Sequence, residues 1–396
     1  MNGTNTWMLP EGIEELLPGD TAWRHEQLRR TLLDRYRSWG YDIAVPPLVE
    51  YLDALTTGHG DDLELQTVKF VDQLSGRLLG VRADITPQAA RIDAHHLRRD
   101  EPVRLCYVGP VLRADVDRVG ATRNPLQVGV ELFGHAGVRS DLEVFQLMLE
   151  TLDVAGITEP HVDLGHVGIF RALIDACGLS AAQARDLHRM LQCKALPDIH
   201  DYVAGLALDR TQAGYFEALG RLNGDHALAR ANDIFADAGD AVRAALAELN
   251  AFADAVKRAM PGLALHFDLA ELRGLAYHTG VVFAAFVPGF GHHVAVGGRY
   301  DHIGEYFGRA RPATGFSADL KTLVRLGRQS AVGGPLRVLA PATDDAQLRA
   351  EISRLRIEGA VVIQTLPGQR GDAADMGCTH VLRCVDGAWR SVAADA

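Results

Sequence analysis

The sequence predicts an α+β protein: an antiparallel sheet flanked by helices, with a helical insertion and a small α/β module at the C-terminal end. Three observations lead there. Strand-like runs bounded by Gly and Pro, LALHFDL (263–269), GVVFAAF (280–286) and HHVAVGG (292–298), follow a long Ala- and Leu-rich stretch, as an antiparallel sheet requires, and similar runs precede it. Within that stretch, from about 170 to 260, apolar residues such as Leu246, Leu249, Phe252 and Val256 recur at helical spacing, and few β-branched runs occur. After RQSAVGGP (328–335), which reads as a linker, the runs RVLAPA, AVVIQTL and HVLRCV surround a helical pattern through Leu348 and Leu355. The predicted division is 1–169 and 261–327 for the two parts of the main domain, 170–260 for the insertion and 335–396 for the module.

The elements follow in order. Asp20 can cap a helix with Leu28, Leu32, Tyr36 and Trp39 on its apolar face and Gly40 as its stop. GYDIAVPPLVEY then reads as a strand entering a Pro-Pro bend. Residues 68–72 and 78–82 form a hairpin signal across Ser75-Gly76 and lead into VRADITPQAAR. Ser140 to Glu143 has the spacing of a capping box, and Leu142, Phe145, Leu149 and Leu152 continue it as an amphipathic helix that stops at Gly156. No internal repeat is visible.

At 396 residues the chain is too long for one ordinary domain, so two or three units are expected. A net charge of −11 opposes a general electrostatic grip on nucleic acid. The five cysteines are odd in number and lack CxxC spacing, so reduced thiols are expected, with neither a disulfide framework nor a zinc site. The first residues lack a basic start followed by an apolar core, and no apolar run reaches membrane-spanning length, so a cytoplasmic location is expected.

The chemistry gathers around RLCYVGPVLRADVDRVGATRNPLQVGVELFG (104–134), where two strand-like runs flank a long turn. A free amino acid presents an ammonium and a carboxylate, so a receptor wants fixed acceptors for one and Arg or backbone donors for the other. Asp84, Thr86, Gln127 and Glu131 supply acceptors, while Arg113 and Arg273 supply guanidinium forks. Taken singly, a strand-end Arg or Glu is more often a solvated or paired surface charge. The His292-His293 pair reads as polar filling, and no metal or cofactor is expected.

These residues gain weight because residues 104–134 resemble motif 2 of the class II aminoacyl-tRNA synthetases, in particular the histidyl-tRNA synthetase branch. The likeness covers most of residues 10 to 326. The family's RGLDYY signature stands here as RGLAYH (273–278), and its GGRYD is intact as Gly297 to Asp301. By resemblance, Asp84 (Glu in the family), Thr86, Gln127 and Glu131 would bind histidine, with Tyr277, His278 and Tyr300 lining the imidazole. The GYDIAVPPLVEY segment has the layout of motif 1, which in the family builds a homodimer interface.

Three departures concern ATP: Ala121 replaces a motif 2 loop Arg, Pro125 replaces the adenine-stacking Phe, and Thr322 stands where motif 3 has its phosphate-binding Arg. Lost donors to a developing oxyanion slow adenylation. Arg113 and Arg273, which contact the α-phosphate region in the synthetase, are retained and are expected to hold histidine's carboxylate or a partner's acidic group. Residues 335–396 carry seven Arg and no Lys against eight Asp plus Glu, a poor match to tRNA. The departures are similar to those of the ATP phosphoribosyltransferase regulatory subunits, a non-catalytic group within the same fold. That likeness implies no enzyme activity of its own, a short-form catalytic subunit as partner in a hetero-oligomer, L-histidine as effector and no tRNA. The alternative is an active histidyl-tRNA synthetase or another class II amino-acid adenylating enzyme.

Overall fold

In the computed structural model, the strand-like runs on both sides of the helical stretch pair into one nine-stranded sheet. The structure describes residues 8–56, 60–115, 122–272, 274–275, 277–328 and 335–394, and falls into two units, Met1–Arg328 and Gln329–Ala396. Strands of the first unit, in chain order, are β1 (Asp42–Ile43), β2 (Val49–Tyr51), β3 (Val68–Val71), β4 (Leu78–Val81), β5 (Val103–Pro110) and β6 (Leu126–Phe133). They continue with β7 (His161–His166), β8 (Asn223–Gly224), β9 (Leu265–Asp268), β10 (Val281–Val287), β11 (Phe290–Arg299) and β12 (Ala313–Asp319). The large sheet has the order β1-β5-β6-β12-β11-β10-β7-β9-β8, and β2, β4 and β3 form a separate small sheet. Its central pairs, from β5 to β7, are antiparallel, whereas β1 with β5 and β7 with β9 are parallel. The α+β expectation holds.

Alternation along the strands divides the sheet into two faces. Val128 and Val130 of β6, Phe283 of β10 and Phe316 of β12 belong to the main hydrophobic cluster together with the apolar stripes of helices Asp20–Ser38, Val138–Val154 and Asp240–Ala259. Phe145 meets Phe283 and Phe252 edge-on at 5.3 and 5.6 Å between ring centroids, an arrangement worth about 0.5–1.5 kcal/mol beyond area burial. Phe216, Phe235, Leu249 and Phe252, all from the helical stretch, join this same cluster, so the stretch shares a core with the sheet.

Two local expectations change. Gly19, not Asp20, occupies the N-cap of the first helix and makes no side-chain cap, while Asp20 lies in the first turn, where its charge favours the helix dipole. Ser140 is not a cap either: its helix begins at Val138 after Gly137. Its hydroxyl is taken by tertiary structure, donating to the carbonyl of Gly137 at 2.9 Å and accepting from Arg299 at 2.9 Å. The hairpin over 68–82 forms as predicted, with Val68 opposite Val81.

The second unit has β13 (Arg337–Ala340), β14 (Val361–Gln364), β15 (His380–Val385) and β16 (Ala388–Ala393). β13 lies parallel to both β14 and β15, and β16 turns back on β15 through Asp386-Gly387, both at positive φ as a two-residue hairpin turn prefers. Asp345 caps helix Ala346–Ile357 by accepting from Gln347 N at 2.7 Å, and it also accepts from Trp389 Nε1 at 2.8 Å.

Candidate functional site

The face of β6 opposite the main core carries Gln127, Gly129 and Glu131, and β5 lies beside it with Leu105 opposite Glu131, Tyr107 opposite Gly129 and Gly109 opposite Gln127. Missing side chains make room here. A Cβ at Gly129 would come within 2.6 Å of the Tyr107 hydroxyl, and one at Gly315, opposite Glu131 on β12, would overlap the Glu131 carboxylate. Glu131 can therefore fold flat over backbone and reach across to its partners.

Glu131 is 1% exposed and meets no cation in its hydrogen bonds. Its Oε1 accepts from Thr86 Oγ1 at 2.8 Å and from Tyr107 OH at 3.0 Å, and its Oε2 accepts from the Tyr300 hydroxyl. Burial pushes its carboxyl up to about 8; the donated hydroxyl bonds pull the other way and the nearby Asp84 charge adds to the rise. The same burial, reinforced by Glu131, pushes Tyr107 and Tyr300 well above the ordinary phenol range, so both phenols stay protonated at neutral pH.

Gln127 works as a clamp. Its Oε1 accepts from Ile85 N at 2.9 Å and its Nε2 donates to Asp84 Oδ1 at 2.8 Å, the same oxygen that takes Thr86 N at 2.9 Å. The turn that opens helix Thr86–Arg91 is thus fixed to the sheet. Arg82, buried just before it, donates Nε to Pro110 O at 2.9 Å and Nη1 to Pro46 O at 2.8 Å.

The aromatic wall comes from two later segments. Tyr277 and His278 lie with ring centroids 4.2 Å apart, and the Tyr300 ring approaches them edge-on at 6.1 and 6.4 Å. Gly298 leaves space for His278, whose ring would lie 3.0 Å from a Cβ there. Arg113 continues the row of Tyr107 and Gly109: the ladder runs on through Val111 N to Pro125 O and Arg113 N to Arg123 O, and Val111 packs with Tyr107 and Ile85. The Nε of Arg113 is enclosed and has no hydrogen-bond partner among the described residues.

Hydrogen bonds therefore bring Asp84, Thr86, Gln127, Glu131 and Tyr300 together, and ring contacts add Tyr277 and His278. Arg273 and Ala121 lie outside the described residues. Tyr107 was missed by the sequence reading, although the alternation through Tyr107, Gly109 and Arg113 placed it on the site face. In GGRYD, Tyr300 serves the site, whereas Arg299 points to the other face and pairs with buried Asp141 at 2.8 Å.

The expected ATP side is differently employed. Thr322 Oγ1 donates to Asp319 Oδ2 at 2.7 Å, and Lys321 Nζ donates to the Asn124 carbonyl at 2.8 Å, next to Pro125. Neither donor is left aimed outward.

The sequence profile of the family described as Histidyl-tRNA synthetase matches residues 12–323, and that of the ATP phosphoribosyltransferase subunit HisZ C-terminal domain matches residues 335–392. The chain is 54% identical, over 97% of its length and 96% of the relative's, to an ATP phosphoribosyltransferase regulatory subunit of Alkalilimnicola ehrlichii. It is 55% identical, over 96% and 97%, to one of Thioalkalivibrio sulfidiphilus. The chain belongs to the ATP phosphoribosyltransferase regulatory subunit family. A crystal structure described as an ATP phosphoribosyltransferase regulatory subunit/histidyl-tRNA synthetase from Bacillus halodurans C superposes with a TM-score of 0.83 at 28% identity, covering 95% of this chain and 97% of that one. A histidyl-tRNA synthetase from Nostoc sp. PCC 7120 shares the fold, with a TM-score of 0.79 at 18% identity over 98% and 97% of the two chains. The class II synthetase-like fold is thereby established, and the family's C-terminal domain accounts for the short module that follows residue 334. Among the described residues, no helix is long and apolar enough to cross a membrane.

Proposed function

We propose that this regulatory subunit joins a short-form ATP phosphoribosyltransferase catalytic subunit, is required with it for the first step of histidine biosynthesis, and carries feedback inhibition by L-histidine bound in the Glu131 pocket. The observation that carries this reading is the pairing of an assembled histidine-facing set, Asp84, Thr86, Gln127, Glu131 and Tyr300, with a Thr322 whose hydroxyl is already tied to Asp319. Tyr277, His278 and Tyr300 form the imidazole wall, and Arg113, whose enclosed Nε has no partner among the described residues, takes the carboxylate together with Arg273. The chain itself neither adenylates nor transfers.

Assembly is proposed to include a homodimer through the motif 1 region. Ile43, Val45, Leu48 and Tyr51 support this, since they expose apolar side chains within this segment, Ile43 on β1 at the edge of the large sheet and Tyr51 on β2 of the small one. The weak negative charge of the C-terminal module supports the absence of tRNA as a partner.

Titrating a short-form catalytic subunit from the same organism with this chain, with and without histidine, tests the reading. Activation by the chain and inhibition that requires it are expected; a catalytic rate indifferent to the chain would end the proposal. Retention of Arg113 favours one second reading, an amino-acid adenylating enzyme, which histidine-dependent ATP-pyrophosphate exchange by the chain alone would reveal.

Gln127→Ala should weaken histidine binding by about 1–3 kcal/mol, because it removes the clamp on Asp84 and leaves Ile85 N unpaired. Assembly should change little. Calorimetric titration giving parental affinity would exclude this pocket as the histidine site.

A further inference from the structure

Away from the Glu131 pocket, toward the other side of the large sheet, β7 and β9 run parallel with Asp163 directly opposite His266. His161 lies two residues before Asp163 on the same face of β7, so strand geometry alone sends three metal-ligating side chains to one point. Their donor atoms all lie within 4.8 Å of one another. Asp163 Oδ1 is 3.0 Å from His161 Nε2 and 2.9 Å from His266 Nδ1, and the two imidazole rings are 4.9 Å apart.

Short separations of this kind are usually hydrogen bonds, but here the directions are wrong. Asp163 Oδ1 and His266 Nδ1 are both enclosed and neither has a hydrogen-bond partner among the described residues, although they stand 2.9 Å apart. A buried carboxylate oxygen and ring nitrogen left unsatisfied cost free energy. Two lone pairs that converge sideways suit a shared cation. Ligands about 2.0–2.1 Å from a tetrahedral metal are separated by about 3.4 Å, so the 3.0 and 2.9 Å from Asp163 to the two histidines need open by only a few tenths of an ångström to admit one.

We propose that His161, Asp163 and His266 bind one late first-row divalent cation, of the Zn2+, Co2+ or Ni2+ class. Two imidazoles and a carboxylate are the donor set such ions accept, while a hard ion such as Mg2+ or Ca2+ would want more oxygen. His161 is half exposed and admits the ion with water in the remaining positions, whereas Asp163 and His266 are largely enclosed and fix the geometry. The opposing residues on β10, Phe286 and Ala284, bring no cationic side chain to compete for Asp163. Bound there, the ion cross-links β7 to β9, which are otherwise paired over only three residues.

Untagged full-length chain, stripped with chelator, should bind one equivalent of Zn2+ by calorimetry and develop visible d–d absorption with one equivalent of Co2+. Loss of an outer-shell partner costs about 10–100-fold in metal affinity, and removal of a direct ligand should cost at least that. Asp163→Asn and His266→Gln should therefore reduce Zn2+ affinity by ~100-fold or more. His161→Gln, at an exposed position, should do so without touching the fold, which circular dichroism checks and which keeps the test decisive if an inner variant misfolds. His95→Gln, in the separate His95-His96 pair whose rings are 5.3 Å apart, should bind like the parent. Absence of stoichiometric binding, or equal affinity in parent and His161→Gln, overturns the site.

Discussion

Raising the pH from 5 to 9 should cost the parent chain stability that the Glu131→Gln variant keeps. Glu131 has a folded-state value of about 8 against an ordinary value of 4.5, because burial disfavours its charge. Between those values the folded chain holds a proton that the unfolded chain has released, so folding stability falls as the pH rises, and levels off once Glu131 is ionised in both states. The full effect is on the order of 4 kcal/mol as an upper limit. Gln is neutral throughout and keeps the shape and an acceptor oxygen. Urea unfolding of both chains at pH 5, 7 and 9 should give a stability difference that moves in favour of the Glu131→Gln variant through neutrality and is flat at the alkaline end. Parallel pH profiles would mean that Glu131 is charged and compensated in the fold.

The second large effect concerns the other face of the sheet. Arg299 and Asp141 are 7% and 5% exposed and form an ion pair at 2.8 Å, with a hydrogen bond from Arg299 Nε to Asp141 Oδ2 at 3.2 Å. Burial holds the Asp141 carboxyl above the usual carboxylate range, and Arg299 opposes part of that rise. Arg299→Met strands this carboxylate and should cost about 3–5 kcal/mol, whereas Arg299→Met combined with Asp141→Leu should recover most of the loss, since an apolar pair often replaces a buried ion pair without penalty. Denaturant midpoints of the two variants decide this. A single variant as stable as the parent would show that the guanidinium does not carry the pair.

The parts of the fold legible in the sequence were those set by local periodicity. GVVFAAF became β10 and HHVAVGG the body of β11, because alternation or a continuous apolar run suffices for a strand flanked on both sides. Most of the pocket was legible through motif resemblance. What escaped was fixed by distant partners. Ser140 has the spacing of a cap, but its hydroxyl serves Arg299, 159 positions away. Tyr107 is anonymous until β5 lies on β6 and its hydroxyl finds Glu131. In HVDLGH, alternation puts His161 and Asp163 on one face and His166 on the other, where it accepts from Gly168 N and meets Glu248, but the partner of the first two, His266, arrives from beyond the helical stretch. Neither expectation about metals nor one about caps could anticipate a pairing set by topology.

Helix Thr86–Arg91 acts as a strut. Thr86 at one end is held by Glu131, while Gln88 donates at 2.8 Å to both the Pro47 carbonyl and Glu50, and Arg91 at the far end pairs with Glu50 at 2.6 Å. Pro47 precedes Leu48 and Glu50 precedes Tyr51, both of them exposed apolar side chains. A single six-residue element thus links the pocket floor to the outer rim. It runs on without a break into a π-helical turn, Ile92–Leu97, so the Thr86 hydroxyl and the Pro47–Glu50 segment are held by one continuous helical stretch.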